Sequence, residues 1–446
     1  MFGYLIKNKE KFFFGIVWIC FFASLNLSPD NFFSFNLISQ LRFLAPLLVT
    51  AVVILIFFKH KYFNNLSFFL FVPILYVALG FYFTLTNKYN FSYNIFWPIV
   101  MIGSYLYLCL FSEKNKMLIL FLKLNLIIIL CIFTFYVSYA LMDDARIYNF
   151  YTLYVVNNKF LGFENPPRSS GLARMALILY ATTITLFLGC RRILKKPIYF
   201  FVVILGAFTL VFQSRTISFI FFFITFYVVL INFNKLSKRE ITATVGMFIL
   251  CLLINFTTQS YFKYTTIKID YNSYVKRYGE NSPNSKLVKR PQFGNLLDAN
   301  DLSTSLIRKA DPKTYSSGRT ILWKKIIVAV KKNNYMGYGF QGDRIVAKDS
   351  AHSVYLYALT TGGGLGFILI LIILFRSIFV NLRISWNIFS NNGNIDYKAQ
   401  IPLILSIIFL LRGILDTSYG VYSIDFLIFF TCYLYNEMTF SKIYNG

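Results

Sequence analysis

Twelve runs of mostly apolar residues follow one another along this chain, each about 16 to 28 residues long, the length that carries a helix across roughly 30 Å of hydrocarbon. They cover 12–27, 37–58, 66–86, 94–111, 117–142, 171–190, 197–212, 216–233, 241–258, 353–380, 400–418 and 421–440. With 57% hydrophobic and only 14% charged side chains over 446 residues, the chain carries more apolar surface than the cores of a soluble protein could bury. The expected fold is all-α, a polytopic membrane protein of about 12 transmembrane helices. Lys7, Lys9 and Lys11 precede the first run, but Asn26 to Pro29 offers no small-residue cleavage pattern, so that run is read as a retained span and not a signal peptide.

Orientation follows from where the cations fall, because lysine and arginine in short loops resist export from the cytoplasm. Alternate connections hold Lys59 and Lys61; Lys114 and Lys116; Arg191, Arg192, Lys195 and Lys196; Lys235, Lys238 and Arg239; then Arg376, Arg383 and Lys398. Both termini are therefore expected on the cytoplasmic side. The loop near 143–170, the turn at Gln213, Ser214 and Arg215, and the long segment 259–350 are expected on the other. That segment has 17 lysines and arginines against 7 acids and is too long for a plain connector. The chain divides accordingly into a membrane domain at 1–258, a large outer loop at 259–350 and a second membrane portion at 351–446. Residues 263–315 show no sustained period and receive no assigned structure.

The net charge of +26 would point to nucleic acid if it formed one stripe on a soluble fold. Here the cations sit mostly between apolar runs, and nucleic-acid binding is set aside. All six cysteines lie in or at the ends of those runs with no Cys-x-x-Cys spacing, so neither a disulfide framework nor a zinc site is indicated. The two histidines, His60 and His352, fall on opposite faces and cannot share a metal. Asp143 and Asp144, the one adjacent acidic pair, stand without further acids nearby and read as solvated. Walker, Gly-x-Ser-x-Gly and His-Glu-x-x-His motifs do not occur, which removes the commonest ATPase, serine-hydrolase and zinc-protease readings.

The chemistry-bearing residues gather at the outer face. Ser317 is a plausible N-cap for an amphipathic helix over 318–332. Leu322, Trp323, Ile326, Ile327, Ala329 and Val330 fall on one side of it, and Lys324, Lys325, Lys331 and Lys332 on the other. Arg319 projects on the apolar side, in line with Ile326 and Val330, in the first turn where free N–H groups favour an anion. The alternative is a helix lying on anionic headgroups with Arg319 snorkelling. Beyond it come a glycine-rich turn (Gly337, Gly339, Gly342), then His352, then an apolar run broken by Gly362, Gly363, Gly364 and Gly366. Arg215 opens the eighth run, where an ionisable group faces a polar cavity or snorkels at the interface. Arg168 and Arg174 bracket the start of the sixth. Arg412 precedes Asp416 by four residues, ion-pair spacing that reads as structural, and Asp425 is placed to pair with one of the arginines.

Taken together, Arg168-Ser-Ser-Gly171 through Arg174, Ser214-Arg215-Thr216, Ser317-Gly318-Arg319 through Trp323, and Gly337-Tyr-Gly339 through His352 to Gly366 resemble the O-antigen ligase and polymerase superfamily of bacterial envelope polysaccharide synthesis. The resemblance implies a metal-independent glycosyltransferase of the inner membrane, without cofactor, using undecaprenyl-diphosphate-linked glycans at the periplasmic face among membrane lipids. It implies Arg215 and Arg319 on the diphosphate and His352 as base for the acceptor hydroxyl, with Arg168, Arg174 and Arg412 as further substrate-binding candidates. The family often has Asn after the histidine, and here the residue is Ser353, which leaves open how the imidazole is oriented. An O-antigen polymerase, working with or without a chain-length regulator, is the first expectation. A ligase to lipid A-core is the second, and a lipid-linked oligosaccharide flippase is the rival from another class.

Overall fold

The computed structural model describes residues 9–23, 36–59, 68–87, 91–111, 115–141, 169–189, 192–212, 214–266, 319–347, 350–390 and 397–444. Among these every regular element is helical. In chain order the α-helices are α1 (Lys9–Ala23), α2 (Asn36–Lys59), α3 (Phe68–Asn87), α4 (Phe91–Leu110), α5 (Asn115–Leu141), α6 (Ser169–Gly189), α7 (Arg192–Val211), α8 (Arg215–Asn232), α9 (Lys238–Thr266), α10 (Arg319–Lys332), α11 (Gly342–Ala347), α12 (Val354–Ser390), α13 (Tyr397–Leu415) and α14 (Ile424–Tyr444). Short 3₁₀ turns lie at Phe233–Lys235 and Ser418–Gly420.

Each of the twelve apolar runs coincides with one helix, and α10 and α11 are the two that do not belong to a run. Five helices, α3, α5, α6, α9 and α12, contain stretches long and apolar enough by length and composition to cross a membrane. The bundle exposes large apolar side chains outward, among them Leu55 at 69%, Phe226 at 67% and Trp386 at 66%. A belt of that kind suits hydrocarbon and would be a liability in water.

Inside, α14 is buried continuously from Ile424 to Glu437 and serves as the central post. It packs against α13, α5 and α12, while α6 runs along α7, α12 along α3, and α2 along α4. Polar clips fasten these apolar faces. Asn232 and Gln400 exchange amide bonds at 3.0 Å, Asn381 donates to Ser406 and accepts from Asn436, and Trp18 donates to Asn125 at 2.8 Å. Arg376 makes two 2.8 Å bonds to Glu437 with its guanidinium over the Phe69 ring.

Two boundaries differ from the sequence reading. The ninth run continues as helix to Thr266, eight residues into the segment assigned to the outer loop. The tenth extends to Ser390, so Arg376 and Arg383, expected in a connection, lie on α12. Polar side chains there find partners within the bundle, Arg376 on Glu437 and Ser385 on Tyr227, which lets the helix run on beyond its apolar stretch.

The interhelical bonds sort the helix ends into two sets. One end joins the starts of α7 and α9 through Lys195–Glu240, the ends of α8 and α12 through Lys235 and the Ile388 carbonyl, and α14 to α12 through Tyr444 and the Arg383 carbonyl. The other joins the start of α6 to the start of α14 and the end of α13, and the end of α3 to the glycine-rich turn through Asn87. Because α8 ends at the first, its opening residue Arg215 stands about 27 Å away, towards the second.

Candidate functional site

The glycine-rich turn is seated where α12 breaks. Gly363 sits at φ 64° and ψ −155°, outside helical space, so the ladder of α12 is interrupted about two and a half turns after it begins. The freed groups are taken up by the turn. Gly364 N donates to the Tyr335 carbonyl at 2.9 Å, while the carbonyls of Thr360 and Thr361 accept from Tyr338 N and Gly339 N at 2.6 and 3.1 Å. The fit leaves no room for side chains: a Cβ on Gly337 would lie 2.3 Å from the Thr361 oxygen, and one on Gly363 2.2 Å from the Tyr335 oxygen. On the far side, Phe340 N donates to Thr84 of α3 at 2.9 Å and Asn87 donates to the Gly337 carbonyl at 3.0 Å.

That turn fixes α10. The helix closes on Asn334 and Tyr335, both at positive φ, with Asn334 N to Lys331 O and Tyr335 N to Val330 O, the bond pair of a Schellman cap. Ile326 and Val330 are fully buried against α11 and α12, and all four lysines face outward as expected. Ile327 departs from the expected apolar side and is 49% exposed, because it lies about 100° from Ile326 around the helix. Arg319 opens the helix in register with the buried pair and is half-buried.

His352 stands at the entrance of α12, half-buried and with φ 50°. Its neighbour Ala351 is fully buried and held from both sides. Trp323 Nε1 of α10 donates to the Ala351 carbonyl at 2.9 Å, and the Ala351 N–H donates to Asp343 of α11 at 2.8 Å. Asp343 is itself 2% exposed and also accepts from Arg344 N at 2.9 Å; burial pushes its carboxyl above the usual carboxylate range against the pull of those donors. Ser353, where the related pattern often has Asn, accepts Tyr357 N on its carbonyl at 2.9 Å and opens α12. Sequence reasoning missed Asp343 and gave Trp323 only a packing role. The signal that was available is a lone acid inside a glycine-rich turn eight residues before an alanine.

The remaining arginines divide. Arg412 is 3% exposed, with one terminal nitrogen on Asp416 and the other on Asp425. Asp425 is 1% exposed and is shared with Arg174, at 3.4 Å, and with Ser418 Oγ, at 3.3 Å. The expected pairings of Asp416 and Asp425 are thus both present. Arg174 is partly exposed and its buried Nε has no hydrogen-bond partner, while Asp425 Oδ1 meets only the Arg174 Nη1 ion-pair contact at 3.4 Å. The Ser418–Gly420 turn carries this cluster to the entrance of α12, since Gly420 lies against Val354 and Tyr357. Arg168, Ser317 and Gly318 lie outside the described residues, as does the side chain of Arg215. Among the described residues no three His, Cys, Asp or Glu side chains gather where a metal ion could be held.

Residues 200–371 match the family described as O-antigen ligase. On that segment the chain is similar to the O-antigen polymerase and ligase superfamily, and the match supports that kinship. The match begins within α7 and ends beyond the break in α12, so it takes in Arg215, Arg319, the glycine-rich turn and His352, while Arg168, Arg174 and Arg412 fall outside it. Members of the superfamily are glycosyltransferase-like membrane enzymes acting on lipid-linked glycans, and the match does not separate polymerase from ligase. No curated protein and no solved structure matches the chain significantly.

Proposed function

We propose that the protein is a polymerase that transfers a growing glycan from undecaprenyl diphosphate to the non-reducing end of a new lipid-linked repeat unit, at the periplasmic face of the inner membrane. The lysine-bearing end of the bundle is then cytoplasmic. The observation that carries the reading is the bond from Trp323 to the Ala351 carbonyl, because it ties the helix opened by Arg319 to the residue preceding His352, within the matched segment.

In this reading Arg319 and the free N–H groups of the first α10 turn meet the diphosphate, joined by Arg215 from the start of α8. The bond between the glycan's anomeric carbon and the diphosphate oxygen breaks, and its electron pair leaves with undecaprenyl diphosphate. The acceptor hydroxyl oxygen forms the new glycosidic bond and gives its proton to His352. Fixed guanidiniums neutralise the developing negative charge where a soluble enzyme often uses a metal. Base removal of the hydroxyl proton contributes typically about 10²- to 10⁴-fold. Arg174, with an unoccupied Nε, is the further candidate for sugar or phosphate contact, and Arg412 acts by holding Asp425.

The match to a family described as O-antigen ligase favours a ligase as second reading. Expression in cells lacking one activity or the other separates the two. A polymerase restores long ladders to cells that otherwise carry a single repeat, and a ligase restores capping to cells with bare core. Arg319→Ala and Arg215→Ala should abolish the rescue at normal protein levels, with Lys at either position retaining part of it as a point charge. Rescue of neither strain would remove both readings, and movement of lipid-linked glycan without bond cleavage would establish a flippase.

A further inference from the structure

His352 follows a residue whose backbone is anchored at both ends, and it adopts a left-handed conformation that non-glycine residues visit at a cost. Such a conformation persists where its surroundings impose it. The two anchors come from different elements: the Trp323 indole N–H from α10 and the Asp343 carboxylate from α11. Trp323 lies four residues after Arg319, one turn along the same helix face. Asp343 uses its two oxygens separately, one on Arg344 N and the other on Ala351 N, and it is fixed by the turn that docks on the broken helix. On the other side of the histidine, the Ser353 carbonyl accepts the Tyr357 N–H as α12 opens.

We infer that Trp323 and Asp343 are positioning residues that clamp Ala351 and so set the direction of the His352 imidazole relative to Arg319. The inference rests on the catalytic reading of His352. A side chain aimed through its neighbour's backbone transmits small displacements directly, and a misplacement of about 1 Å at a reacting group costs roughly 10²-fold in rate.

The test uses the full-length protein in detergent carrying His60→Gln, which leaves His352 as the one histidine and gives a single labelled imidazole signal by NMR. Turnover is followed as undecaprenyl diphosphate released from lipid-linked oligosaccharide extracted from membranes of the producing cells. Trp323→Phe keeps a ring but removes the indole donor, and Asp343→Asn keeps the size but offers one acceptor oxygen where two N–H groups need one each. Both should lower kcat at least about tenfold with KM within about twofold, and both should shift or broaden the His352 signal, whereas Arg319→Ala should lose turnover with that signal in place. An unmoved signal, or a moved signal with full turnover, overturns the clamp. If Arg319→Ala and His352→Ala still lose turnover in that case, the glycosyltransferase reading stands without it. Full turnover in His352→Ala would instead overturn the catalytic reading and the clamp together.

Discussion

Asp425 is enclosed on three sides by donors, with Arg412, Arg174 and Ser418 drawn from three parts of the chain. A carboxylate taken out of water to this extent is tolerable only while its partners remain, and removing one member of a buried pair costs about 3–5 kcal/mol. Asp425→Ala and Arg412→Ala should each lower stability by about that amount, read as an earlier unfolding midpoint in detergent, whereas Arg174→Ala should cost less because its guanidinium already reaches solvent. Equal stability in all three would show that the cluster is not a structural unit. Spacing alone disclosed the Arg412–Asp416 half of this network, since four residues on a helix place two side chains together. Pairing of Asp425 with one arginine was expected from its place in the first turn of the last run, but its sharing between guanidiniums 13 and 251 residues away is a product of packing. The same holds for Asp343, whose role exists only once Ala351 folds back onto it.

At the scale of the element, the turn from Asn333 to Gln341 and the break in α12 form one unit, because each satisfies backbone groups that the other leaves open. Glycine is required at specific positions within it and not throughout. Gly337→Ala and Gly363→Ala meet backbone atoms at 2.3 and 2.2 Å, and Gly363 also has positive φ, so both should unseat the turn and abolish activity with loss of α10 protection in hydrogen exchange. Gly364→Ala has 3.8 Å to its nearest neighbour and should retain activity and protection. Loss in all three alike would argue against this docking. The glycine clusters stood out in the sequence, as did the faces of α10 apart from Ile327. Which glycine breaks the helix and which merely lines it was not legible, since the distinction lies in contacts between residues some 25 positions apart.

At the scale of the whole molecule, twelve apolar runs become twelve helices because each run carries its own backbone bonds and its own apolar faces. Their number and approximate limits were therefore readable, while the full length of α12 depended on polar partners elsewhere in the bundle. The bundle brings its arginine cluster, its glycine-rich turn and the entrance of α12 to one end, opposite the Lys195, Lys235 and Arg383 end. A glycosyltransferase needs that arrangement: a lipid-anchored diphosphate enters from the side, and a hydroxyl enters from outside. The most direct measurement gives purified protein a single lipid-linked repeat unit, with a chelator present, and follows both free undecaprenyl diphosphate and glycan length. Our account predicts that the two rise together in the wild type and that His352→Ala slows both by about 10²- to 10⁴-fold; products formed at the wild-type rate by His352→Ala, or no cleavage by the wild type, would contradict it.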